Sequence, residues 1–318
     1  MREQSDVVII GGGVIGVCAA YYLLQEGRQV TILERDEICS GASHGNSGLV
    51  VPSHSIPLPA PGAVTRALKW MLDPESPFYV RPRLDTKLIS WMWQFRAACT
   101  ERRMRHGMGV LLGLSQASIS LYDELIARET LECKYTRGGL FMLYRIEHGY
   151  EEGVEEARLL QEQGLQMRAM TGPEVHEMEP RVRPDIAGGV YFQDEAHLDP
   201  AAFVHGLASH VQAKGGAIHE GTEVLGFDTS GGKISTVKTA KGDYHPQHVV
   251  LAAGSWSPEL VSGLGIDLPV QPGKGYSVTF KSPGTPLGFP LILSEAKVGV
   301  NPMGQKTRLA GTLELSGF

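Results

Sequence analysis

Near its start the chain runs an apolar stretch straight into a glycine turn: Val7-Val8-Ile9-Ile10-Gly11-Gly12-Gly13-Val14-Ile15-Gly16. A second apolar stretch, Val30-Thr31-Ile32-Leu33, ends at Glu34, 18 residues past Gly16. Strand, G-x-G-x-x-G turn, helix, and a second strand closed by an acid form the dinucleotide-binding pattern, which commits this part of the chain to a parallel α/β unit. Gly11 permits the tight turn, Gly13 lets a pyrophosphate approach the backbone, and Gly16 lets the helix lie close to the strand. The helix entered through Val14 and Ile15 directs its first N–H groups and positive dipole end at the phosphates. Glu34 is placed to accept hydrogen bonds from a ribose hydroxyl. With 39 glycines in the chain a chance match to the glycines alone is easy, so the strand–helix context and the acid carry the assignment.

A length of 318 residues points to two domains, or to one domain with a large insertion. An apolar content of 42% is ample for a buried core, and a net charge of −6 leaves no electrostatic footprint for nucleic acid. Cys18, Cys39, Cys99 and Cys133 form no CxxC pair and no zinc spacing, a usage that fits a reducing cytoplasm. The first strand begins by Val7, leaving no room for a signal peptide before it. No apolar run is long enough to span a bilayer. The stretch Leu88-Ile89-Ser90-Trp91-Met92-Trp93-Gln94-Phe95, followed by Arg96 and by Arg102, Arg103 and Arg105, reads as an amphipathic helix. It has two readings: a helix packing its aromatic face on its own protein, or a peripheral contact with the inner face of the cytoplasmic membrane.

Further along, residues 36–62 read as loop. Residues 85–131 read as two helices with Gly107 and Gly109 between them, and 138–144 as a strand of a different sheet. A surface helix is expected over 150–164, and Thr171 with Glu174 forms a capping-box helix start. Gly189–Phe192 reads as a strand, Pro200–Ala213 as a helix, Ala217–His219 as a strand, and 222–238 as a hairpin turning at Gly231-Gly232. His248–Leu251 reads as a strand buried on both faces of a parallel sheet. The expected fold is therefore α/β and α+β. A Rossmann-like domain (1–84 plus 193–265) would be interleaved with a substrate domain on a mixed or antiparallel sheet (85–192 plus 266–318).

Three features bear on which dinucleotide binds. Ser40-Gly41-Ala42-Ser43-His44-Gly45-Asn46-Ser47-Gly48 follows the second strand, and its small residues let backbone and hydroxyls reach a phosphate or a flavin edge; an ordinary flexible loop is the other reading. Ala252-Ala253-Gly254-Ser255-Trp256 offers a second close backbone approach at a strand end, or a plain strand-to-helix turn. Arg35 suits a 2′-phosphate, but Glu34 beside it would repel that group, which disfavours NADP. Among the histidines, His44 and His54 flank the small-residue loop, and none has metal-ligand spacing.

Taken in order, Val8–Gly16 with Glu34-Arg35, Gly41–Gly48, Thr222-Glu223-Val224, Ala252–Gly254, Gly273-Lys274-Gly275-Tyr276-Ser277 and Gly311–Gly317 resemble the D-amino-acid oxidase and glycine oxidase superfamily of FAD proteins, nearest to bacterial D-amino-acid dehydrogenases. The resemblance covers essentially the whole chain. It implies FAD held by Gly11, Gly13, Val14, Ile15, Gly16, Glu34, Arg35, Ser43, His44, Asn46, Gly48, Val224, Ala252, Gly254 and Trp256. It also implies hydride transfer from the Cα of a D-amino acid, or of a D-hydroxyproline-like imino acid, to the flavin, with electrons passing on to an acceptor such as a membrane quinone. Tyr276 and Lys274 are the candidates to hold a substrate carboxylate. Each also reads as an ordinary strand or turn residue, and no proton-transfer residue is assigned. In the family the chain continues beyond the stretch matching Gly311–Gly317, so an incomplete flavin enclosure is expected here. Two alternatives follow: an oxidase of sarcosine or glycine type releasing hydrogen peroxide, or a remnant without catalysis.

Overall fold

The computed structural model describes residues 6–71, 76, 78–81 and 83–318. The chain forms two compact units: Met1–Gly45 with Leu131–Cys133 and Pro200–Pro272, and Asn46–Thr130 with Lys134–Asp199 and Gly273–Phe318.

In the first unit, β1 (Val7–Ile10) is followed by α1 (Val14–Gln25) and β2 (Val30–Leu33). All four residues of β1 and of β2 are buried, as a strand covered on both faces requires. The sheet is parallel throughout: Ala217–His219 lies beside β2, β2 beside β1, and β1 beside His248–Leu251. The nucleotide-binding sheet thus resumes after residue 200, as its sequence pattern predicts. The strand His248–Leu251, however, is only half-buried, because it is an edge strand of the four, as is Ala217–His219. The hairpin pairs Val224–Ser230 with Lys233–Thr239, turning at Gly231 and Gly232, both of positive φ as a type I′ turn demands. Val8, Ile10 and Leu33 pack with Val224, Val237 and Tyr244 into one core.

The second unit is built on an eight-stranded mixed sheet. Its strand Leu140–Tyr144 shows why period-2 alternation suits a sheet covered on both faces. Leu140 and Tyr144 join Val190 and Phe192 under the helices Glu101–Glu129 and Glu147–Gln161. Phe141 and Leu143 face the other way, onto Met170, Val175, Leu291 and Val300. A small antiparallel sheet joins Leu49–Val50, Ala196–His197 and Thr136–Arg137.

Two expectations are corrected here. Residues 46–84 lie in the second unit, not with the nucleotide-binding part, because Leu49–Val50 pairs with Ala196–His197 and Phe78–Val80 pairs with Leu313–Leu315. The later boundaries accordingly fall at 199/200 and 272/273 in place of 192/193 and 265/266. The helical block breaks at Cys99-Thr100, not at Gly107 and Gly109. Thr100 caps the new helix by accepting from the Arg103 N–H at 3.4 Å. The glycines are carried inside Glu101–Glu129, since a helix-interior glycine costs only about 1 kcal/mol and Met104, Met108 and Leu112 bury a continuous stripe. The expected capping box at Thr171 and Glu174 is present.

Candidate cofactor site

The glycine turn of the first unit has the geometry its sequence pattern calls for. Gly11 sits at φ +109, and a Cβ there would lie 2.4 Å from the Ala252 carbonyl oxygen. A Cβ on Gly16 would lie 1.9 Å from the Gly11 oxygen, so α1 reaches the strand only because the residue has no side chain. Gly13 is the N-cap of α1 and supplies no side chain to cap it. Ser43 closes on the turn instead, its Oγ accepting from the Val14 N–H at 2.9 Å. His44 neighbours it in the short helix Ala42–Gly45, and Ile15, at 67% exposure, leaves the entry to α1 open.

Glu34 lies at the end of β2 as predicted. Its carboxylate accepts from Gly12 N at 2.6 Å and from Asp36 N at 2.9 Å, tying the acid to the glycine turn. Its backbone pairs with the next segment of the unit: Glu34 N donates to His219 O and Thr222 N to Glu34 O. That pairing sets the buried Val224 two residues on. Arg35 lays its guanidinium over the Trp256 ring, 4.8 Å from the centroid, while Nε donates to Asp36. Trp256 follows Gly254, which takes φ +53 at the end of the outer strand. Gly11, Gly13, Val14, Ile15, Gly16, Glu34, Arg35, Ser43, His44, Val224, Ala252, Gly254 and Trp256 therefore all belong to one unit. The backbone there is stripped of side chains where a pyrophosphate must approach, and a helix N-terminus and an acid flank it. These features fit the ADP half of FAD.

Asn46 and Gly48 belong to the second unit. Gly48, at φ +70, donates its N–H to Asn46 Oδ1 at 2.7 Å. Tyr276 and Lys274 lie on the strand Lys274–Lys281, every residue of which is exposed. The Tyr276 hydroxyl donates to Glu314 Oε2 at 2.7 Å, and Lys274 is the cross-strand neighbour of the same glutamate. The Tyr276 hydroxyl holds the Glu314 carboxyl below the usual carboxylate range, with Lys274 helping. The two predicted carboxylate-binding groups thus do converge on a carboxylate, and it is one of the chain's own.

Sequence reasoning missed a buried polar set in the same unit. Glu195 is fully buried; Oε1 accepts from Ser53 N at 2.9 Å while Oε2 has no partner, and burial pushes its carboxyl up to about 8. His197, two residues on, has an unpartnered Nδ1 and is driven by burial down to about 4. Asn301 and Arg308 are also buried. Only Asn301 carries a sequence signal, as a polar residue within the otherwise apolar strand Val298–Met303. Among the described residues no His, Cys, Asp or Glu cluster suits a metal, and no helix is long and apolar enough to cross a membrane.

A parallel sheet, a glycine turn after β1 and an acid after β2 define a dinucleotide-binding protein. Residues 6–318 match the FAD dependent oxidoreductase family, DAO. The chain is 32% identical over 319 residues to a D-amino acid dehydrogenase of Methylobacterium nodulans, and 30% identical over 318 residues to one of Granulibacter bethesdensis. Each alignment covers 98% of this chain and 76% of the relative. In structure it is similar to a glycine oxidase from Geobacillus kaustophilus, with a TM-score of 0.74 at 22% identity, covering 100% of this chain and 73% of that one. The chain belongs to the FAD-dependent oxidoreductase family, whose cofactor is FAD.

Proposed function

We propose that this chain is a D-amino-acid dehydrogenase. It would take a free D-amino acid, or a D-hydroxyproline-like imino acid, to the imine, which water converts to a 2-oxo acid and, from a primary amine, ammonia. The observation that carries the reading is a likeness to D-amino acid dehydrogenases along 98% of the chain, at 32% identity. The dinucleotide turn supports it with its geometry intact. FAD, when bound, supplies the two-electron acceptor for the hydride leaving the substrate Cα. The protein's part is to bind and orient. Gly11, Gly13 and Gly16 clear the backbone for the pyrophosphate, and Glu34 retains lone pairs for a ribose hydroxyl while accepting from Gly12 N. Arg35 stacked on Trp256 gives the adenosine end a rigid flank. Tyr276 and Lys274 would take the substrate carboxylate by exchanging Glu314 for it. The substrate amine must lose a proton before its lone pair can assist, and no residue is assigned to that transfer.

The electron acceptor we propose is a membrane quinone, reached from the cytoplasmic face. The support is the helix Thr86–Ala98, where Leu88 is buried while Ile89, Met92 and Trp93 are exposed. Arg96 follows on the same helix, and Arg102, Arg103 and Arg105 open the next one. Exposed apolar and aromatic groups beside cations suit an anionic bilayer surface.

The experiment is an absorption spectrum of the purified chain with added FAD, then anaerobic mixing with D-alanine, D-proline and glycine. Bleaching of the flavin band by a D-amino acid, without rapid hydrogen peroxide release in air, is expected. Protein that takes up no FAD, or a flavin that no amine reduces, overturns the reading. Rapid peroxide release points to the oxidase instead. Co-sedimentation with anionic but not neutral vesicles, reduced by Trp93→Ser, tests the membrane contact.

A further inference from the structure

We propose that Asn301 and Arg308 are positioning residues for FAD, acting through the backbone of Asn46–Gly48; this rests on the reading of Asn46 and Gly48 as cofactor residues. Three successive carbonyls of that loop are held within the second unit. Asn46 O accepts from Arg308 Nη1 at 2.8 Å, Ser47 O from Asn301 Nδ2 at 2.7 Å, and Gly48 O from Leu198 N at 2.9 Å. The Asn301 amide nitrogen also donates to Leu198 O at 3.0 Å, so one side chain joins the loop to the segment that holds Gly48. Arg308 Nε donates to Thr279 Oγ1 at 2.9 Å, which fixes the plane of the guanidinium.

Successive carbonyls of a strand point to alternate sides, and those of a helix run along its axis to the next turn. The Gly48–Leu198 bond continues the pairing of Leu49–Val50 with Ala196–His197, whereas Asn46 O and Ser47 O are both taken by side chains, so side chains impose the shape of this part of the loop where regular structure does not. Asn301 has no solvent exposure and Arg308 has 6%, so water cannot replace either donor once it is removed. Arg308 is suited to the task because its planar fork serves two acceptors at fixed directions, which a lysine ammonium does not. Asn301 is suited because both hydrogens of one nitrogen are used.

The test uses the full chain and the variants Asn301→Ala and Arg308→Lys. Amide hydrogen exchange is followed over residues 46–49 in cofactor-free protein. FAD affinity is read by quenching of flavin fluorescence, and global folding by thermal melting. Each variant should speed exchange of the loop and weaken FAD binding by about tenfold, the scale of one lost buried hydrogen bond, while exchange over β1 and α1 stays unchanged. Faster loop exchange with unaltered FAD affinity would make the two residues merely structural, and unaltered exchange would remove the pinning itself; either overturns the proposal. If Asn301→Ala does not fold, Arg308→Lys decides alone. Wild-type protein that takes up no FAD fails the cofactor reading and this proposal with it, while the exchange data still report separately whether the two side chains hold the loop.

Discussion

Replacing Glu195 with glutamine should stabilise the protein in neutral and mildly alkaline solution and leave it nearly unchanged in acid. The glutamine keeps an Oε1 acceptor for Ser53 N and places an uncharged group where Oε2 has no partner. Burial raises the Glu195 carboxyl from 4.5 to about 8, so between those values the folded chain holds a proton that the unfolded chain has released. Stability then falls as pH rises, by about 1.4 kcal/mol per pH unit, and amounts to about 3 kcal/mol between pH 5 and pH 7.5. His197 works with the opposite sign. Burial lowers it from 6.5 to about 4, so between those values the unfolded chain binds a proton the folded chain refuses, and stability rises with pH. The two slopes oppose each other from about pH 4.5 to 6.5, leaving the wild type nearly flat there, and Glu195 alone makes it fall above that. Glu195→Gln should instead rise and then level off. Urea unfolding at a series of pH values, read by the fluorescence of the four tryptophans, measures both curves. A difference between variant and wild type that is the same at pH 5 and pH 7.5 refutes the reasoning.

Gly16→Ala places a methyl 1.9 Å from the Gly11 oxygen and should abolish FAD uptake, measured as flavin retained through gel filtration. Ser43→Ala removes the acceptor for Val14 N and should cost about 1 kcal/mol of urea stability, as loss of a helix cap does. Gly153→Ala drives a Cβ to within 2.1 Å of the buried Tyr144 hydroxyl, and overpacking of that kind should cost about 1–3 kcal/mol in the same assay. Glu314→Gln frees Tyr276 and Lys274 of an anionic partner on an exposed strand, so KM for the D-amino acid should fall with kcat little changed; an unaltered or higher KM removes these two residues from substrate binding.

What was legible in the sequence is what the chain settles over short distances. β1, the turn, α1 and Glu34 fall within 28 residues, and each step is forced by sterics or by a helix end, so the pattern and the structure coincide. The hairpin at Gly231-Gly232 and the capping box at Thr171 are legible for the same reason. The misplaced helix break shows where local reasoning fails. Gly107 and Gly109 look like stronger punctuation than Thr100, yet burial of Met104, Met108 and Leu112 outweighs the helix cost of two glycines. The polar set of the second unit lies beyond local reasoning altogether. Ser53 meets Glu195 across 142 positions, Ser47 meets Asn301 across 254, and Asn46 meets Arg308 across 262. No periodicity records which buried donor will find which carbonyl.

Tyr276 and Lys274 carry that limit to the chemistry of the site. Read along the chain, a hydroxyl and an ammonium two residues apart look like donors awaiting an external carboxylate. The register of the sheet, shifted by an irregularity between Lys274 and Tyr276, supplies Glu314 from 38 positions beyond Tyr276. A substrate carboxylate bound there, as proposed, would gain only the difference between its bonds to these donors and those it displaces, and on an exposed strand that difference is small. Selectivity for an amino acid must therefore come from groups that Glu314 does not already satisfy. On the proposed reading Glu314 masks the pair's affinity for a substrate carboxylate, which is why Glu314→Gln should act on KM and leave the chemical step alone.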